Sequence, residues 1–393
     1  MLSPAAHHSS PTHDKPQAIK VTAGGLLFLL LCAVRRRLVH GDIMFLQDAH
    51  VYSRAFNRFS HGLDPYAKDI LYFVYAPIFL NTESLLSHVF SHRGAWMAYL
   101  VPLVIATLSV PILLSYWLDV DWLSSAVCLV LFAFQPYLIA EQILLTGNLS
   151  AILYAAGLAT GLLGLRKNRW LPFYAVVVVA SLVKPPFLAM LLIPLFCSKR
   201  QLLPTFASAA LTAVGYLCQQ IWEPSLYAGF RHAATAQILE RDDLGYGVVR
   251  LLHHIHRLPL TLAVCVHLLL ITALLSLLWN VRTLRHSTHG GKIWLATLIV
   301  LVIAANPRFK EYDICIAFLP ALYLLIESIR FFFKDDHSRA PIVVSIVFLV
   351  ALLTLQDGLS WFLLIFGPIL AGLYMMRRMQ PGIAVHLPAP APG

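Results

Sequence analysis

The chain has 393 residues, of which 59% are hydrophobic and only 12% charged, with a formal net charge of +10 and a mean hydropathy of +0.74. Soluble domains carry about 25% charged residues, so soluble classes are excluded and an all-α polytopic membrane protein is expected. The apolar runs are continuous, without the period-two alternation of barrel strands, which excludes a β-barrel. The basic excess suits cytoplasmic loops facing anionic lipid, so no nucleic-acid partner is expected.

In chain order, residues 1–20 are rich in Pro, Ser and His and read as a disordered tail. An apolar segment at 21–34 ends at Arg35, Arg36 and Arg37 and reads as a first span. A polar interval, 46–66, follows, with an aromatic run at 71–77. Residues 71–80 are too short to span and are expected in the membrane interface. Further spans are expected at 96–118, 122–140, 149–165, a broken run 171–197, 202–221, 258–281, 293–305, 314–333, 342–355 and 359–376. This gives about 10–12 transmembrane helices in a single domain over 21–377, with a disordered tail at 378–393. The six cysteines fall singly inside apolar runs and read as small buried hydrophobes.

The run 171–197 is interrupted at Val183-Lys184-Pro185-Pro186. Two prolines break a helix, and basic residues flank both outer ends of the run, so a hairpin with Lys184 at its tip is expected. With the N-terminus inside, the basic segments 166–169, 199–200, 282–292, 330–339 and 377–378 all face the cytoplasm, as the positive-inside rule requires. The first outer loop is then 35–95, and a second large outer loop is 222–257. Glu141 to Asn148, the Lys184 tip and the segment 306–313 share that outer face. Arg35–Arg37 depart from the rule, and two readings stand for them: snorkelling to headgroups, or a grip on a lipid-linked phosphate.

Chemistry is therefore expected on the outer face. Asp48 lies four residues before Tyr52, on one face of an expected helix. A carboxylate beside a span is costly unless hydrated, paired or used, and a general base is one use; helix capping is the other reading. Asp64, in Gly62-Leu63-Asp64-Pro65, reads as a turn residue. Lys184 needs an anion, for which a phosphate or a snorkelling path to water would serve. Glu141, Gln142 and Asn148 flank a span end where amides can orient sugar hydroxyls or cap a helix. His253 and His256 have an i, i+3 spacing without a completing ligand, which favours an interfacial basic helix over a metal site. The segment 306–313 carries Arg308, Lys310, Glu311 and Asp313 and is a second phosphate candidate beside a solvated-turn reading. There is no glycine-rich phosphate loop, nucleophile elbow or His-Glu-x-x-His motif.

The ordered set Asp48-x3-Tyr52-x2-Ala55, Gly62-x2-Pro65-Tyr66 and Tyr75-x-Pro77 resembles the first outer loop of glycosyltransferase family 87. The likeness continues at Thr146-Gly147-Asn148, at Leu182-Val183-Lys184-Pro185-Pro186, and at Pro307 with Tyr312. Asn148 stands where the family commonly has Gln, and Phe309 where it often has Trp. The resemblance implies a C-type integral-membrane fold and a mannosyltransferase-like enzyme using a polyprenyl-phosphate sugar donor and a lipid or glycan acceptor. It implies Asp48 as catalytic base and Lys184, with Arg308 or Arg35, Arg36 and Arg37, as the donor-phosphate cations. Tyr52, Tyr66 and Tyr75 are expected to stack on sugar, with Glu141 and Asn148 as further sugar or acceptor contacts. No cofactor is implied. The resemblance places the enzyme in a bacterial inner membrane with its site on the periplasmic side. A transporter or flippase for a lipid-linked or anionic substrate is the alternative.

Overall fold

The computed structural model describes residues 46–68, 72–81, 92–120, 143, 146–240, 243–254, 256–333, 345 and 358–380. Among them every regular element is helical. An amphipathic helix α1 (Gln47–Ser60) precedes a long apolar α2 (His92–Leu118). Then come α3 (Ser150–Lys167), α4 (Leu171–Val183), a 3₁₀ segment Pro185–Leu191, α5 (Leu192–Cys197) and α6 (Leu202–Trp222). The remainder is α7 (Pro224–Leu239), α8 (Val248–His254), α9 (Leu260–Asn280), α10 (Thr288–Ala304), α11 (Phe318–Phe333) and α12 (Gly358–Met379).

Among the described residues four helices are long and apolar enough to cross a membrane: Tyr99–Leu118, Lys199–Trp222, Leu260–Asn280 and Phe362–Met379. Shorter apolar helices run over Leu171–Val183, Pro185–Cys197 and Thr288–Ala304. The expected spans at 21–34 and 122–140 lie outside the described residues, as does all of 342–355 except Ser345. α12 continues through Met379, so the last helix extends past the boundary at 377 expected from sequence.

The burial pattern on α6 is that of a helix facing hydrocarbon. Its buried positions are Thr205, Ser208, Thr212 and Gln219, whereas Leu203, Phe206, Leu217 and Trp222 are exposed. Apolar-out, polar-in order reverses that of a water-soluble amphipathic helix and satisfies side-chain polar groups inside the bundle. α10 is apolar all round and lies in the centre, where residues 296–304 are all buried.

α3 presents a smooth glycine face. A Cβ on Gly161 would meet the Trp117 ring at 2.5 Å and Phe173 at 3.1 Å, and one on Gly157 would meet Met190 at 2.6 Å. These contacts bring α2, α4 and the 3₁₀ segment against one helix, with the Trp117 indole N–H donating to the Leu158 carbonyl at 2.9 Å.

The broken run folds as a hairpin. Lys184 is extended, its backbone leaving the helical region where Pro185 follows. Tyr174, near the start of α4, reaches Thr205 at 3.1 Å, and Tyr216 donates to the Ser181 carbonyl at 2.8 Å. α4 and α6 thus run parallel, which requires the segment between them to return across the bundle.

The loop ends sort into two groups. At one end, Lys292 bonds Asp119, Arg285 donates to the Phe196 and Cys197 carbonyls, and Gln380 donates to the Asn280 carbonyl. At the other, Ile78 N–H donates to Gln219, Asn81 to Glu223, and both Lys68 and Tyr72 to Glu240. Residues 72–80 correct the interfacial expectation. Tyr72, Phe73, Tyr75, Ala76 and Leu80 are buried in the protein, because the aromatic run packs under α1 rather than against lipid.

Replacing Gly161 by Ala should lower stability in detergent by roughly 1–3 kcal/mol, since neither Trp117 nor Phe173 can move aside cheaply. Thermal unfolding followed by tryptophan fluorescence reads this, and an unchanged melting temperature would contradict the packing described.

Candidate active site at one end of the bundle

α1 begins at Leu46, which has left-handed backbone geometry (φ 56°), and buries Ala49, Tyr52 and Ala55 on one face. The turn before α3 meets that face at Gly147, whose φ is also positive (63°). A Cβ there would lie 2.9 Å from Leu46 Cδ2 and 3.1 Å from the Ala49 Cβ. Glycine is therefore needed twice at this position, for its backbone angle and for the approach of α1.

This approach sets Asp48 against Asn148. The Ser150 N–H donates to Asn148 Oδ1 at 2.9 Å, which fixes the amide orientation, so Nδ2 faces Asp48 Oδ2 at 2.6 Å and the Tyr75 hydroxyl at 3.3 Å. The Tyr75 hydroxyl also lies 2.6 Å from that of Tyr52. Burial, with the Asp48 charge next, pushes the Tyr75 hydroxyl well above its ordinary value, so it stays protonated. Asn148 thus both caps the turn and holds the carboxylate.

Two residues on, Ser150 Oγ accepts from Lys184 Nζ at 2.6 Å. The same ammonium is 3.6 Å from Asp313 Oδ1 and lies 4.4 Å from the centre of the Tyr312 ring. Asp313 is buried and accepts from Tyr154 at 3.3 Å and from the Lys310 N–H at 3.0 Å. Asp48 and Lys184 therefore flank one short segment, Asn148–Ser150, at the start of α3, joined to it by side-chain bonds of 2.6 Å each.

A second charged cluster lies alongside. Arg308 grips Asp243 twice, from Nη2 to the carboxylate at 2.5 Å and from Nε to the backbone carbonyl at 2.6 Å. Lys310 pairs with the other carboxylate oxygen, Oδ1, and Gln237 Nε2 donates at 2.7 Å to Oδ2, the oxygen that Arg308 holds. Tyr246 N–H donates to the Phe309 carbonyl at 3.0 Å, which ties the loop after α7 to the loop after α10. Burial raises the Asp243 carboxyl, but Arg308 and Lys310 outweigh it and hold the group at about 2 against an ordinary 3.8.

The sequence expectations divide accordingly. Asp48, Asn148, Lys184, Tyr52 and Tyr75 are brought together. The sugar-stacking role expected of the tyrosines is corrected, because the rings of Tyr52, Tyr66 and Tyr75 are buried. Tyr52 is edge-on to Phe79 and Tyr75, and Tyr66 packs beside Phe230 while its hydroxyl donates to the Tyr75 carbonyl at 3.0 Å. Their faces are occupied by protein, leaving Tyr52 and Tyr75 to act through hydroxyls. Arg308 is engaged by Asp243, which it shares with Lys310. Asp64 accepts from the Tyr66 N–H at 2.9 Å, a turn contact. Glu141, Arg35, Arg36 and Arg37 lie outside the described residues.

Sequence reasoning gave no role to Ser150, Tyr154, Asp243 or Asp313. A hydroxyl two residues after Asn148 and a carboxylate in the charged loop were visible, but their convergence on Lys184 is not a feature of spacing. Among the described residues no group of three or more His, Cys, Asp or Glu side chains is placed to hold a metal ion. Comparison of the chain with family models, with curated proteins and with solved structures finds no match.

Because Asp243 is held below its ordinary 3.8 at about 2, its stabilisation is complete above about pH 4 and is lost as the pH falls through about 2. Asp243→Asn should therefore cost roughly 2 kcal/mol at neutral pH and flatten the acid limb of the stability curve. Urea or thermal unfolding at pH 7 and pH 3 measures both, and equal loss at the two pH values would reject the ion cluster as the cause.

Proposed function

We propose that this is a membrane glycosyltransferase. It moves a hexose (mannose-like) or a related sugar from a polyprenyl-phosphate donor to a hydroxyl of a lipid or glycan acceptor. The site faces the outer side of the membrane, the periplasm if the host is a bacterium with this protein in its inner membrane. The observation that carries the reading is the pairing of a carboxylate, Asp48, and an ammonium, Lys184, on the two sides of Asn148–Ser150. The ordered motifs shared with glycosyltransferase family 87 supply the donor class.

In this reaction Asp48 accepts the proton of the acceptor hydroxyl as its oxygen attacks the anomeric carbon. The bond between that carbon and the phosphate oxygen breaks, its electron pair stays on the phosphate, and the configuration inverts. Lys184 lies where it can meet the negative charge that grows on the leaving phosphate. Such stabilisation in a poorly hydrated site is commonly the largest contribution to catalysis. Asn148 keeps one Asp48 oxygen oriented and also donates to the Tyr75 hydroxyl, which is bonded to that of Tyr52.

A transporter or flippase is the second reading. It is favoured by the broken hairpin with an ion pair at its tip, a device that transporters use near their substrate sites. Incubating the purified protein with labelled polyprenyl-phosphate sugars and candidate acceptors separates the two, because only the transferase makes a new glycoside.

Asp48→Asn should lower kcat by on the order of a hundredfold or more, with donor binding retained. Normal turnover in this variant would remove Asp48 as the base. Lys184→Ala should weaken use of the lipid-phosphate donor, read as a raised donor KM in reconstituted membranes. An unchanged donor dependence would remove Lys184 as the phosphate partner.

A further inference from the structure

We propose that Asp313 is the positioning residue for Lys184, a built-in counter-ion that keeps the ammonium charged and aimed for a phosphate oxyanion. The inference rests on the reading of Lys184 given above and adds to it a residue for which the sequence offered no role. It stands on the way the two charges are built. Asp313 is 1% exposed, and the Lys184 side chain is 15% exposed. A carboxylate buried this deeply is held only where donors and a cation meet it. Its Oδ2 takes the Lys310 N–H, while its Oδ1 takes the Tyr154 hydroxyl and faces Lys184.

The separation of the charges is informative. Nζ is 3.6 Å from Asp313 but 2.6 Å from Ser150 Oγ. The direct hydrogen bond of the ammonium goes to a neutral hydroxyl, and the carboxylate acts across a longer gap by its charge. Asp313 itself is fixed by backbone and tyrosine donors, so it holds its place without Lys184. Such a pair leaves the ammonium charged yet not fully consumed, as an oxyanion partner requires. Arg308, by contrast, bonds Asp243 directly, through Nε and Nη2.

Several other ionisable groups face Lys184. Asp48 comes from α1, Tyr312 and Cys315 from the 3₁₀ segment Glu311–Ile316, and Arg308 from the loop before it, while Tyr154 of α3 bonds Asp313. Asp48 adds negative charge and Arg308 positive charge, so these two oppose one another. Asp313 is the anion in ion-pair range of Nζ among the described residues.

The test is competitive labelling of lysines with acetic anhydride across pH, quantified by mass spectrometry, on full-length protein in nanodiscs. Asp313→Asn removes the charge and keeps one acceptor oxygen, for the Lys310 N–H, while its amide NH2 replaces the oxygen that accepts from the Tyr154 hydroxyl. The Lys184 labelling midpoint should fall by about one pH unit or more, while exposed Lys199 serves as an unchanged reference. In turnover, the basic limb of kcat/KM should move down by the same amount. A merely structural role would lower activity without moving either midpoint. A Lys184 midpoint equal in wild type and Asp313→Asn overturns the proposal. Should the Asn variant not fold, Asp313→Glu and Asp313→Gln pose the same question. A Gln midpoint below that of Glu supports the proposal, and equal midpoints overturn it. Labelling needs neither sugar nor lipid donor, so a protein that shows the shift but transfers no sugar would retire the transferase reading and leave Asp313 in its role.

Discussion

An ammonium at the tip of an apolar hairpin has to be met by polar groups, and this requirement shapes one end of the molecule. Lys184 cannot be left in an apolar surround without partners, because an unpaired buried charge costs several kcal/mol. The chain supplies a hydroxyl from the start of α3, a carboxylate from the 3₁₀ turn after α10, and the face of Tyr312. Ser150 comes from one stretch of sequence, Asp313 and Tyr312 from a second, and Lys184 itself from a third. Satisfying one charge therefore brings three stretches together, and Asn148, two residues from Ser150, carries the arrangement on to Asp48.

The second cluster has a different character. Asp243 takes two cations and a side-chain amide, closing its carboxylate completely and fastening the loop after α7 to the loop after α10. That cluster is a clasp. Lys184 and Asp313, at 3.6 Å, are held apart by their own supports. The two arrangements share the segment 306–313, so a rigid clasp fixes the backbone from which Asp313 is presented.

Much of the helical plan could be read from the chain, because apolar runs and basic flanks report the solvent each residue meets. The break at Lys184-Pro185-Pro186 was legible for a covalent reason, since proline removes a donor and restricts its predecessor. Asp48 and Tyr52 fell on one face as helical spacing requires. The tyrosine rings were misjudged because an aromatic run beside a polar loop has the same composition whether it faces a ligand or packs under a helix. Here Phe73, Phe79 and Tyr99 surround Tyr52 and decide the matter. Asp313 was hidden for another reason. In sequence it is one of four charges in a short loop, and only the fold distinguishes buried Asp313 from the half-buried Arg308 and Lys310.

The hairpin has one more consequence, which concerns thickness. Its rising leg, α4, has 13 residues and at ~1.5 Å per residue reaches about 20 Å. The hydrocarbon layer of a typical bilayer is about 30 Å deep. A leg this short gives a hydrophobic mismatch, which is relieved when lipid thins around the tip or the tip lies below the headgroup plane. Either way, under the function proposed above, a phosphate anchored to a long isoprenoid would reach Lys184 from the side, out of the leaflet rather than from water. The depth of the bilayer then becomes part of the site, setting how far the head of a lipid must dip before it meets its charge.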